Sequence, residues 1–155
     1  MVIVLLILGI VFLFISISLH KSADEHETKF NQRPSIISVP SQDLMTNQKY
    51  AIINLLGFVL GTNAISAYDQ NCNAILNQWM MKLGLSRQEV EKAMKVSMSF
   101  SPEKSVQIMR DSLCEIRDKD FIRLVFQDAR KIATISDNEE IIYFIDEFSN
   151  DVLHS

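Results

Sequence analysis

Ile75-Leu76-Asn77-Gln78-Trp79-Met80-Met81-Lys82-Leu83-Gly84-Leu85-Ser86-Arg87-Gln88-Glu89 is the stretch that decides the fold class. Ile75, Leu76, Trp79, Met80 and Leu83 recur at the three-and-four spacing that lines apolar side chains along one stripe of an α-helix. Gly84 follows where a helix end needs a residue at ease in the left-handed region. Ser86-Arg87-Gln88-Glu89 then has the form of a capping box. The serine hydroxyl accepts the backbone N–H three residues on, and the glutamate reaches back to the serine's own N–H. Helix, stop and new helix are written in one short run.

The same punctuation recurs on both sides. Ser66-Ala67-Tyr68-Asp69 and Ser136-Asp137-Asn138-Glu139 also have the capping-box form, Asp69 being a shorter substitute for glutamate. Ser101-Pro102 sets a cap before a proline at the first helical position, and Asp118-Lys119-Asp120 reads as a further helix start. Phe121, Leu124, Val125 and Ile132 keep the helical rhythm, as do Ile141, Ile142, Phe144, Ile145, Phe148 and Val152. Helices are predicted near 43–62, 66–83, 87–98, 102–115, 119–134 and 137–152, and nothing alternates with period two for long. An all-α fold follows, a compact bundle of about six helices over residues 42–155.

Ahead of it, Val2 to Leu19 carries no charge. Eighteen residues make about 27 Å of helix, enough to cross a thin bilayer. A lone strand there would leave its backbone groups unpaired in lipid. A cleaved signal peptide, the alternative, carries a basic leader and a small-residue cleavage site. Here no Lys or Arg precedes the apolar run, and Ser16 and Ser18 sit inside it. Residues 1–19 are therefore read as a single transmembrane anchor and 20–41, with Pro34 and Pro40, as a polar tether. Lys21, Lys29 and Arg33 follow the anchor and place the helical domain on the cytoplasmic side by the positive-inside rule.

Several function classes drop away. Net charge is −4 and the basic residues are scattered, which argues against nucleic acid as a partner. Cys72 and Cys114 form neither a zinc pattern nor a disulfide framework, and read as two buried or half-buried thiols. His20, His26 and His154 lie outside the predicted helices and lack a second ligand at metal-binding spacing. No glycine-rich phosphate loop, nucleophile elbow or His-Glu-x-x-His motif occurs, so the chain is expected not to be an enzyme. Trp79, Met80, Met81, Met94 and Met98 read as core rather than as an adaptable groove. Asp137, Glu139, Glu140, Asp146, Glu147 and Asp151 make the last helix acidic, a solvated face or a dock for a basic partner. Asp151 sits at the wrong end of that helix for its dipole.

Two stretches parallel each other: Gly61-Thr62-Asn63-Ala64-Ile65-Ser66-Ala67-Tyr68-Asp69 and Lys131-Ile132-Ala133-Thr134-Ile135-Ser136-Asp137-Asn138-Glu139. Their order and spacing, with the Leu83-Gly84-Leu85-Ser86 turn between them, resemble the TerB-like helical domain of tellurite-resistance proteins, also found within membrane-anchored DjlA-type co-chaperones. The resemblance covers roughly residues 46–153. Loops of that family read Asp-Gly-x-Ile-Ser-x-x-Glu and suit a divalent cation. The trailing acid falls on Asp69 and Glu139, so the resemblance implies these two as metal ligands. The leading Asp-Gly falls on Thr62-Asn63 and Ile132-Ala133, so both leading acids are missing and capping is the expected role of Asp69 and Glu139. A hard cation needs several converging oxygens. No J domain follows, so co-chaperone activity is not implied. The expectation is a membrane-anchored adaptor for an unknown protein partner in envelope or stress response. A degenerate cation-binding protein and an immunity or antitoxin-like protein are the alternatives.

Overall fold

A computed structural model describes residues 44–62, 68–135 and 137–155. The described residues form six α-helices and no strands: α1 Thr46–Gly61, α2 Gln70–Leu83, α3 Arg87–Met98, α4 Pro102–Cys114, α5 Lys119–Ile135 and α6 Glu139–His154. The expected all-α bundle is what the chain builds there. The predicted anchor at 1–19 and tether at 20–41 lie outside the described residues. None of the described helices is long and apolar enough to cross a membrane.

Helix α1 is apolar on nearly every side, the mark of a helix enclosed by others. Ala51, Ile52, Ile53, Leu55, Leu56, Val59 and Leu60 are all buried, and beyond the polar first turn only Tyr50, Asn54 and Phe58 form a partly exposed stripe. It packs against α2, α3, α4 and α5. Where α3 crosses, Gly57 lacks the Cβ that would stand 2.6 Å from Cε of Met94. At the start of α1 the Gln48 side chain folds back and accepts the Met45 N–H at 2.9 Å, which satisfies a buried amide.

The other helices are amphipathic and turn one stripe inward. In α5 this stripe is Phe121, Ile122, Val125, Phe126, Ala129, Ile132 and Ala133. Helix α6 packs on α5 and α4. Phe144 bridges edge-on to Phe58 of α1 and stacks on Phe148, which meets Phe126 of α5 edge-on, all with ring centroids under 6 Å apart. Trp79 of α2 is buried against the edge of Phe121 and donates its Nε1–H to Asp128 Oδ2 at 2.9 Å. Lys131 holds the other oxygen of that carboxylate. The indole's polar atom is thereby satisfied where α2 meets α5.

Two helix starts correct the sequence reading. Asp69 is the N-cap of α2, with extended backbone (φ −71°, ψ 128°), and Ser66 lies outside the described residues. Helix α2 therefore begins at Gln70, four residues later than the predicted 66. At the last helix Asn138, not Ser136, is the cap, and its side chain accepts the Ile141 N–H at 3.2 Å. Asx side chains cap at least as well as serine, and here they stand closer to where packing lets each helix begin. The Ser86–Glu89 box forms reciprocally, and Ser101 caps α4. Gly84 adopts φ 64° as predicted, and open space surrounds the place of its missing Cβ. Gly84→Ala should therefore destabilise the fold through the backbone alone, by about 1 kcal/mol, and Gly84→Asn by less. Urea unfolding midpoints measure this, and an alanine variant as stable as the parent would refute it.

Candidate functional site

Asp69 and Glu139 are the residues that the two parallel stretches single out. The Asp69 carboxylate accepts the backbone N–H groups of Asn71 at 2.8 Å and Cys72 at 2.9 Å, while its carbonyl accepts from the Asn73 amide at 2.9 Å. Its Oδ1 is turned into the first turn of α2. Glu139 is exposed in the first turn of α6, where a negative charge suits the helix dipole.

The positions that would carry the leading acids are engaged elsewhere. Ile132 and Ala133 are buried on the inward stripe of α5, and Thr62 closes α1 by donating its hydroxyl to the Val59 carbonyl at 2.7 Å. Among the described residues no group of three His, Cys, Asp or Glu is placed to hold a metal ion. Asp137 turns the chain between α5 and α6 at φ 50°, a left-handed conformation that aspartate tolerates.

No protein-family model matches the chain, and it has no significant match among curated proteins or solved structures.

Three of the six acids between 137 and 151 are engaged within the fold. Arg110 of α4 grips Asp151 with two nitrogens, and Arg130 of α5 does the same to Asp146. Tyr143 donates its hydroxyl to Glu147. Arg110 thus compensates Asp151, which its own helix dipole disfavours, and holds that carboxyl below its ordinary range. Lys119 donates to the Val152 carbonyl, and the Ser155 hydroxyl reaches Cys114 Sγ, so the end of the chain is tied to α4 and α5. Asp118 accepts the Phe121 N–H at 3.0 Å, the helix-start role read from the sequence. His154 contacts the Asn150 carbonyl through Nδ1; His20 and His26 lie outside the described residues.

Both cysteines are free, one buried and one half-buried, as expected. The predicted Trp–Met core holds only in part. Trp79 and Met94 are buried and Met80 packs beside them, but Met81 is 74% exposed and Met98 50%. Met98 belongs to a surface that the sequence reading missed. Val96, Met98, Phe100 and Ile108 all face outward around the turn from α3 to α4. The signal was Val96-Ser97-Met98-Ser99-Phe100, in which apolar residues break the helical rhythm between Lys95 and Lys104.

Burial, with Asp69 beside it, pushes the Cys72 thiol up to about 11 from an ordinary 9.0. It stays protonated at neutral pH and is a poor nucleophile. In the folded chain a disulfide reagent at pH 8 should modify Cys114 and spare Cys72 until denaturant is added; equal rates would contradict this. The unfolded chain gives up the Cys72 proton near pH 9, whereas the folded chain keeps it to about 11. Stability should therefore fall as pH rises through that window, by at most about 1.4 kcal/mol per unit, with no contribution from this thiol below it. Calorimetric titration of the full chain with Ca²⁺, Mg²⁺ or Mn²⁺ is expected to show nothing tighter than roughly millimolar. Micromolar affinity would revive Asp69 and Glu139 as ligands.

Proposed function

We propose that this chain is a membrane-tethered, non-enzymatic helical interaction module that holds a protein partner close to the bilayer. The observation that carries the reading is the uncharged run Val2–Leu19 ahead of a bundle that closes a core from its own helices. A run of that length and polarity is suited to lipid, and a domain with its own core is suited to water. Tethering confines the domain to a thin layer and raises its effective concentration for partners there.

The TerB-like resemblance supports the same reading, through the order of the helices and the Gly84–Ser86 turn, and suggests a role in envelope or stress-response assemblies. Lys21, Lys29 and Arg33 favour a cytoplasmic domain. The capping role of Asp69 gives the cation-binding alternative less support than the adaptor.

Alkaline carbonate extraction tests the anchor. The full chain should stay in the membrane pellet, and a variant lacking residues 2–19 should appear in the supernatant with its helical circular dichroism intact. Release of the full chain would defeat the tether. Crosslinking in intact membranes followed by mass spectrometry should then recover a protein partner at stoichiometric yield.

A further inference from the structure

Four of the nine large apolar side chains that the described residues leave exposed lie within 96–108: Val96 and Met98 at 50%, Ile108 at 43% and Phe100 at 36%. They sit around one turn. The Ser105 hydroxyl donates to the Ser97 carbonyl at 2.7 Å and closes α4 against α3. Lys104 Nζ lies 4.9 Å from the centroid of the Phe100 ring, and Ile108 stands one helical turn beyond Lys104. On α3, Lys92, Lys95 and Val96 line an open groove of about 400 Å³ that runs to Ser99.

Charge at this tip opposes that of the whole chain. Between 92 and 108 there are three lysines, Lys92, Lys95 and Lys104, against Glu103, a net of +2 in a chain of net −4. Glu91 borders the groove one turn further back. Exposed apolar side chains with exposed lysines among them, Lys104 resting its ammonium on the Phe100 ring and long enough to swing from it to an anionic headgroup, match the boundary of an anionic bilayer.

We propose that the α3–α4 tip docks on an anionic lipid surface, with Val96, Met98, Phe100 and Ile108 entering the headgroup boundary and Lys92, Lys95 and Lys104 meeting the lipid charges. The proposal deepens the tethering reading and rests on it for bringing the tip to the bilayer. Chain length permits it. Helix α3 packs on α1 with Met94 against Gly57, eleven residues or about 17 Å along α1 from Thr46. Met98, at the far end of α3, is one turn or about 6 Å beyond Met94. The 25 residues from 20 to 44 span up to roughly 80 Å when extended. A docked tip gives the domain a fixed face toward the membrane.

The test uses the full chain reconstituted into vesicles of phosphatidylcholine, alone or mixed with phosphatidylserine. A Cys114→Ser background carries an environment-sensitive fluorophore at Met98→Cys, or at Tyr143→Cys on α6 as a control. In anionic vesicles the probe at 98 should shift to the blue and be quenched by brominated lipid, while the probe at 143 stays in water. Lys92→Gln, Lys95→Gln and Lys104→Gln combined should lower the docked-to-undocked ratio about a hundred-fold, each lysine near such a surface being worth roughly five-fold. High salt should act in the same direction. A probe at 98 that remains aqueous in both vesicles, or is equally desolvated in both, overturns the proposal. So does desolvation that follows protein density rather than lipid charge, which is the signature of a second copy on the tip. Flotation with neutral vesicles reports the anchor separately. A chain that floats with an aqueous tip keeps the tether and loses the docking. One that floats only on anionic vesicles, with the probe at 98 desolvated, loses the anchor and keeps the docking.

Discussion

Burying α1 is the constraint on which the other helices depend. Ten of its sixteen residues are buried, from Gln48 to Gly61, so no single neighbour can cover it. Four helices do so together, and each needs only one apolar stripe because α1 presents apolar surface in several directions. Gly57 leaves room for the end of the Met94 side chain of α3, which would have to shift if a Cβ stood there. With α3, α4 and α5 set against α1, α6 closes over α5 and α4 through its phenylalanines. Truncating any of Ile52, Leu55, Leu56 or Val59 would open a void shared by several helices, which is where such losses are largest.

Polar groups fix how the layers meet. Trp79 and Asp128 pin α2 to α5, and Arg110 and Arg130 pin α6 to α4 and α5 through bidentate pairs. Those pairs are exposed, so they contribute little to stability by themselves. Their effect is on register: a fork of two nitrogens on two oxygens tolerates little sliding of one helix along another. They also neutralise two of the six acids, Asp146 and Asp151, that make the last helix look like a dock for a basic partner.

The helices were legible in the sequence because caps, glycine and apolar spacing agree at most boundaries. Ser86, Ser101 and Gly84 take the roles their neighbours predict. Two starts were misplaced by a few residues because Ser66–Asp69 and Ser136–Glu139 each hold more than one side chain able to cap. Which one succeeds depends on where tertiary contacts allow the first turn to form. The central place of α1 was also present, in an apolar run too wide for one stripe. The arginine partners of Asp146 and Asp151 were not legible, since Arg130 and Arg110 are distant in sequence and only folding brings them near. At Asp69 the missing information was direction: the residue type suits a cation or a helix start equally, and only geometry shows its Oδ1 turned to the backbone of α2. The tip with its lysines escaped notice because Val96, Met98 and Phe100 alternate over only five residues, off the helical rhythm and too briefly to mark a strand.

The position of α1 in the order of synthesis has a consequence of its own. It leaves the ribosome before each of the four helices that enclose it, and α5, a major part of its cover, is made more than fifty residues later. At the ten or so residues per second of translation, the run from Ala51 to Leu60 stays uncovered for seconds, behind a still more apolar leader. Nascent chains of this protein carry two adhesive stretches before they carry a fold, and their safe passage rests on whatever shields such stretches at the exit tunnel.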